Sequence, residues 1–141
     1  MLVCWDSSAL VKLLVDEPGS HEAARLWDEA DVVLASRLVV PEVRAAIEAA
    51  TRAHRLARPE RRRALSLWDR YASGLRMLEL TPAVAAAAAD LTARQVLGGA
   101  DAVHLASALA VAEAGPVLAV WDGRLRAASR REGVRLAPAV V

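Results

Sequence analysis

The sequence predicts an α/β fold: a three-layer α/β/α sandwich around a mostly parallel central sheet. Two observations predict it. Short apolar runs at 2–5 (LVCW), 31–35 (DVVLA) and 117–121 (VLAVW) lack strict polar–apolar alternation, the pattern of strands buried on both faces. Between them lie stretches with apolar residues at three- and four-residue spacing, and strands separated by helices pair in parallel through right-handed crossovers. The 141 residues suit a single domain over 1–141, enough to bury about two-thirds of the unfolded surface.

Strand 2–5 leads into a helix over 7–15, where Leu10, Leu13 and Leu14 share a stripe. Gly19 and Ser20 open a second helix through Ala23, Ala24 and Trp27, and strand 31–35 follows. Ser36 is placed to cap the helical segment 37–56, with Pro41 in its first turn or at a kink. A joint containing Pro59 precedes the basic helix 60–72, Gly74 ends it, and 75–80 reads as an edge strand. Thr81 and Pro82 form a cap and first-turn pair for the alanine-rich helix 83–96. Gly98 and Gly99 break the chain before helix 101–114, and Gly115 and Pro116 end that helix ahead of strand 117–121. Helix 123–132 then leads through Gly133 to a short strand at 134–136.

Composition narrows the function classes. Lys and Arg total 18 against 17 Asp and Glu, so the net charge of +1 gives no global attraction to nucleic acid, and any phosphate-binding surface must be local. The single cysteine, Cys4, has no internal disulfide partner, which indicates a reducing compartment. The apolar start is interrupted by Asp6 and Lys12, so no membrane span is expected and the protein is placed in the cytoplasm. GxSxG, P-loop, GxGxxG and CxxC motifs are absent. An aspartyl-phosphate phosphatase of the haloacid-dehalogenase type needs an acid where Ser8 stands, and a receiver domain needs a late lysine, whereas Lys12 is the one lysine present.

Four acids stand where strand or loop gives way to helix: Asp6 in LVCWDSSAL, Glu42 in VVPEVRAAI, Asp101 in GGADAVHLA and Asp122 in VLAVWDGRL. Each alone has an ordinary reading, since Asp is a preferred helix cap and an acid in a first turn complements the helix dipole. Together they differ from Glu22, Asp28, Glu48, Glu60, Asp69 and Glu113, which lie on helical faces rich in Arg or Ala. The four have apolar neighbours such as Val40, Val43, Val103, Leu105 and Trp121. Carboxylates buried near one another repel unless a cation joins them, and loops at the carboxyl ends of parallel strands are where open α/β sheets bind ligands. The reading is a site for a hard divalent metal. If the first and fourth strands are neighbours, Asp6 and Asp122 project into one crevice.

The blocks DSSALVKLL, PEVRAAI, GADAVHLASAL and VWDGRLRAAS, in that order and spacing, resemble the PIN-domain nucleases, and among them the VapC-type toxins of type II toxin–antitoxin pairs. The resemblance spans roughly 2–138, and GADAVHLASAL is its most distinctive block. It implies an acidic catalytic site on Asp6, Glu42, Asp101 and Asp122, with Ser8 as the polar residue beside the metal. Many members carry Thr or Ser two residues before the last acid, where this chain has Val120. It further implies Mg²⁺ or Mn²⁺ as cofactor, an RNA substrate (tRNA or rRNA), a small cognate antitoxin and a homodimer, for which the helix containing residues 84–96 offers a partner surface or a core face.

Mg²⁺ and Mn²⁺ prefer oxygen ligands and retain waters. Asp6 and Asp101 are therefore expected as main metal contacts, with Asp122 joining them or helping to hold a second ion and Glu42 acting through water. The tracts ARPERRR, with Arg61 and Arg62, and RLRAASRR, with Arg124, can track a phosphate backbone or form solvated helix faces. Lys12, one turn beyond Asp6, is a further phosphate candidate. His104, three residues after Asp101, reads as a packed core histidine rather than a ligand. Trp5 and Trp121 flank the crevice, where a base can stack. The alternative is a non-catalytic PIN-like module that binds RNA or protein, with Val120 as its main support.

Overall fold

The computed structural model describes residues 1–141. The elements in chain order are β1 (Leu2–Trp5), α1 (Ser7–Val11), α2 (Ser20–Glu29), β2 (Val32–Ser36), α3 (Val39–Arg52), α4 (Arg58–Gly74), β3 (Arg76–Leu78), α5 (Pro82–Arg94), α6 (Gly99–Leu109), β4 (Val117–Ala119), α7 (Gly123–Arg131) and β5 (Arg135–Ala137). A short 3₁₀ turn, Ala112–Ala114, follows α6.

The five strands form one parallel sheet in the order β3-β2-β1-β4-β5. Alternation along β1 sends Val3 and Trp5 to one face and Cys4 to the other. Val3 and Trp5 join an apolar cluster with Leu10, Leu26, Val43, Ile47 and Trp68, supplied by α1–α4. Cys4 joins a second cluster with Val84, Leu91, Leu105, Leu118 and Leu125, supplied by α5–α7 and the sheet. The result is the expected three-layer α/β/α sandwich with an apolar core on each face, the first holding Trp5 and Trp68 and the second aliphatic.

β1 and β4 are neighbours, with Trp5 opposite Ala119. From β1 the chain winds outward through β2 to β3, then returns past β1 to β4 and β5. The carboxyl ends of β1 and β4 therefore flank the point where the winding reverses, the crevice that α/β sheets use for ligands. The amide of Asp6 donates to the Ala119 carbonyl at 3.3 Å, tying the two strand ends together.

Several boundaries differ from expectation for local reasons. Helix α1 stops at Val11, not 15: Lys12 caps it in right-handed geometry, and the chain goes on in tighter turns in which the Leu13 and Leu14 amides bond the carbonyls of Leu10 and Val11. Pro41 and Pro59 lie inside the first turns of α3 and α4, where a missing N–H costs nothing. Gly98 and Gly99 start α6 rather than break the chain before it, so Asp101 falls in the first turn. Strand β4 ends at Ala119, and Trp121 leaves the sheet.

Candidate active site

The structure brings the four acids to the winding-reversal crevice from four different helices. Asp6 and Asp122 are the N-caps of α1 and α7: each accepts the amide three residues on, from Ala9 and from Leu125, at 2.9 Å. Asp101 lies in the first turn of α6 and Glu42 in that of α3. An acid at each of these helix starts is electrostatically favoured. The same placement brings Asp6, Asp122 and Glu42 within electrostatic reach of Asp101.

Asp6 is the most enclosed of the four, 4% exposed, and its second oxygen accepts the Ser8 hydroxyl at 2.7 Å. Burial raises its pKa above the ordinary 3.8; bonds from Ser8 and Ala9 oppose the rise, and the charge of Asp101 adds to it. Asp101 is also raised, first by burial and then by repulsion from Asp122, with a smaller push from Glu42. Asp101 is thus the electrostatic hub, within reach of the other three acids. In Glu42 burial acts upward, but hydrogen bonds from His104 and Ser7 outweigh it, and the carboxyl titrates below its ordinary range.

The Glu42 contacts were not legible as a set. Ser7 Oγ donates to Glu42 Oε2, and His104 Nε2 lies 2.6 Å from the same oxygen and 3.1 Å from Ser7 Oγ. His104 is a buried core histidine, as read, yet it also touches the site. Its three-residue spacing from Asp101, which puts both on one helix face, was the available signal.

The cations divide. Arg124 is exposed at the start of α7, within electrostatic reach of Asp101. Arg62 is exposed, whereas Arg61 forms a two-pronged pair with Glu48 at 2.6 and 3.2 Å. Lys12 donates to Glu17 at 2.9 Å and to the Pro18 carbonyl at 2.8 Å, and lies 5.5 Å from the centre of the Trp121 ring. Gly19 completes this loop with φ +92°; a Cβ there would lie 2.7 Å from the Trp121 indole nitrogen. Trp121 therefore lies beneath a loop, and Trp5 is 1% exposed in the core. Val120 is fully buried in the second apolar cluster, and its carbonyl accepts Arg126 Nη1 at 2.7 Å.

The donor set is oxygen-rich and mutually repulsive, as a hard divalent cation requires. No three acidic, imidazole or thiol groups converge on a single ligating point. Such an arrangement suits an ion held directly by one or two carboxylates, with water between it and the rest.

A family model described as the PIN domain matches residues 3–130. The chain belongs to the PIN-domain family. It is 50% identical over 138 residues to two Mycobacterium tuberculosis proteins, Ribonuclease VapC45 (strain CDC 1551 / Oshkosh) and Ribonuclease VapC49 (strain ATCC 25618 / H37Rv), covering 98% of this chain and 96% of each relative. The fold of this PIN domain is similar to that of M. tuberculosis VapC20, described as a sarcin-ricin loop cleaving toxin: TM-score 0.66, 21% identity, covering 89% of this chain and 94% of that one. It is likewise similar to a toxin–antitoxin complex from Klebsiella pneumoniae, with TM-score 0.61, 19% identity and 99% and 95% coverage.

Proposed function

We propose that this PIN domain is a divalent-metal-dependent endoribonuclease, the toxin of a toxin–antitoxin pair. The observation that carries the reading is the crevice in which Asp101 is repelled by Asp122 and Glu42 and itself raises Asp6. Identity of 50% to curated VapC ribonucleases over nearly the whole chain supports the activity. We take residues 1–141 as one catalytic domain.

Mg²⁺ or Mn²⁺ bound here would lower the pKa of a coordinated water and neutralise charge on the scissile phosphate and the leaving oxygen. Asp6 and Asp101 would hold the ion directly, Asp122 would reach it through water or help hold a second ion, and Glu42 would act through water. Ser8 keeps the Asp6 carboxylate oriented through its 2.7 Å bond. Arg124, exposed beside Asp101, is the phosphate contact best placed at the site, and Arg62 extends the basic surface. Lys12 and Arg61 already serve intramolecular pairs, so their proposed part in phosphate binding is secondary.

The substrate class is structured RNA, tRNA or rRNA, in line with the VapC20 toxin that shares the fold. A small antitoxin is the partner, as in the toxin–antitoxin complex of the same fold. A homodimer is proposed through the alanine-rich outer side of α5, which leaves Ala85, Ala86 and Ala89 exposed while Val84, Ala88 and Leu91 serve the core. Cytoplasmic action fits the buried free thiol of Cys4, and no helix is long and apolar enough to cross a membrane.

The second reading, a non-catalytic PIN-like module, draws on Val120, which supplies no hydroxyl beside Asp122. One assay separates the two. Purified chain incubated with tRNA and rRNA is expected to cleave with Mn²⁺ and to stop with EDTA, while Asp6→Asn and Asp101→Asn lose cleavage. RNA retention without cleavage in any metal would establish the binding module instead.

A further inference from the structure

We propose that Ser7 and His104 act together as positioning residues, fixing the Glu42 carboxylate through a shared bond to Oε2 so that Oε1 faces the metal-water shell. The inference rests on the nuclease reading above and concerns how one of its acids is held.

Hydrogen counting fixes the donors. Ser7 has one hydroxyl hydrogen and gives it to Glu42, and an ionised carboxylate only accepts. The nitrogen 2.6 Å from that carboxylate and 3.1 Å from Ser7 Oγ must therefore carry its own hydrogen. Glu42 Oε2 accepts both bonds, and Oε1 has no protein partner. A glutamate has three side-chain torsions, and two donors on one oxygen remove most of that freedom.

The arrangement is not a nucleophilic triad. Ser7 and His104 both donate to the acid, so the imidazole nitrogen near Ser7 cannot take its proton, and Ser7 is no nucleophile. Nor is His104 a metal ligand: Nε2 faces Glu42, and Nδ1 is buried without a partner. Trp5 Nε1 and Ser107 Oγ are buried without partners as well, and what distinguishes His104 from plain core packing is the 2.6 Å contact of its other nitrogen with Glu42. A buried polar atom without a partner opposes folding, and on a helix whose buried side is Ala102, Leu105, Ala106, Ser107 and Ala108 an aliphatic side chain would avoid that cost at 104. What His104 supplies in return is the Nε2 bond that ties α6, which also carries Asp101, to α3 and α1.

The test compares His104→Leu, which has no donor, with His104→Gln, whose amide nitrogen reaches the Nε2 position. At saturating Mn²⁺, His104→Leu is expected to lower kcat for RNA cleavage by about 10- to 100-fold with KM and melting temperature retained, and His104→Gln to recover to within about threefold of wild type. In a Glu42→Ala background, His104→Leu is expected to cause no further loss. Equal activity of wild type and His104→Leu overturns the inference, as does equal damage in Leu and Gln variants accompanied by a lower melting temperature.

A second readout does not need catalysis. Proton–nitrogen NMR of the His104 ring in the intact protein is expected to show a slowly exchanging Nε2–H that shifts in Glu42→Gln and in Ser7→Ala. A wild type that cleaves no RNA sinks the nuclease reading alone, and the NMR signal then decides the positioning: an Nε2–H indifferent to both substitutions overturns it.

Discussion

Asp101 carries a charge that its surroundings disfavour. Burial and the neighbouring carboxylate of Asp122 both raise its pKa, so the metal-free protein is strained at neutral pH by its own site. Asp101→Asn removes that repulsion while keeping the shape. The variant is therefore expected to melt about 2–4 °C higher than wild type without metal, read by thermal denaturation in EDTA, although it loses cleavage. A lower melting temperature would mean that Asp101 stabilises the fold, contrary to a site loaded with repulsion. At this scale the four acids were legible because each sits at a helix start beside apolar neighbours. Ser7 and His104 were not, because their bonds to Glu42 span 35 and 62 residues and depend on side-chain direction.

Helices and strands followed from apolar spacing, while their ends were decided by contacts the spacing does not contain. Helix α1 gives way after Val11 to tighter turns whose amides reach three residues back, yet Leu14 still enters the core and Leu13 packs against it, so the stripe was legible where the helix end was not. On α7 the tract RLRAASRR reads as one basic face, but 3.6-residue periodicity splits it: Arg124 is exposed and Arg126 is 5% exposed. Arg126 donates to the carbonyls of Val120, Pro138 and Ala139 at 2.7, 2.9 and 3.1 Å, fastening the chain's last residues to the end of β4. Replacing it by Met leaves the Val120 and Pro138 carbonyls without that donor, Ala139 keeping its bond from Arg130 at 3.2 Å, and urea unfolding is expected to register a loss of about 2–4 kcal/mol. Arg124→Ala is expected to change stability by less than about 0.5 kcal/mol while raising KM for RNA. Equal stability of the two variants would refute this division of the tract.

Across the whole molecule, the strand order β3-β2-β1-β4-β5 makes a crevice from segments far apart in sequence. Adjacency of β1 and β4 was a condition that strand spacing alone could not settle. The pairing of Trp5 with Ala119 meets it and brings the ends holding Asp6 and Asp122 side by side. The pooled acids also couple stability to pH. A carboxyl whose folded pKa is raised contributes stability that is full below its unfolded value, ordinarily 3.8, and is lost as pH rises through the folded value. Asp6 and Asp101 are both of this kind, so a cation that binds their ionised forms stabilises most at neutral pH and least in acid. At a hundredfold excess over its dissociation constant, Mn²⁺ is expected to add about 2.7 kcal/mol at neutral pH, seen as a raised melting temperature that fades as pH falls towards 4. Stabilisation equal at both ends of that range would place the bound ion away from these acids.

One divalent ion, held by Asp6 and Asp101 and reached by Glu42 and Asp122, is the centre of the proposed site. The most direct measurement is an anomalous difference map from a crystal of the full chain soaked in Mn²⁺. A peak is expected about 2.0–2.2 Å from oxygens of Asp6 and Asp101, with Glu42 reached through water. A crevice without a peak under saturating Mn²⁺, or a peak bound only by other residues, would contradict that placement.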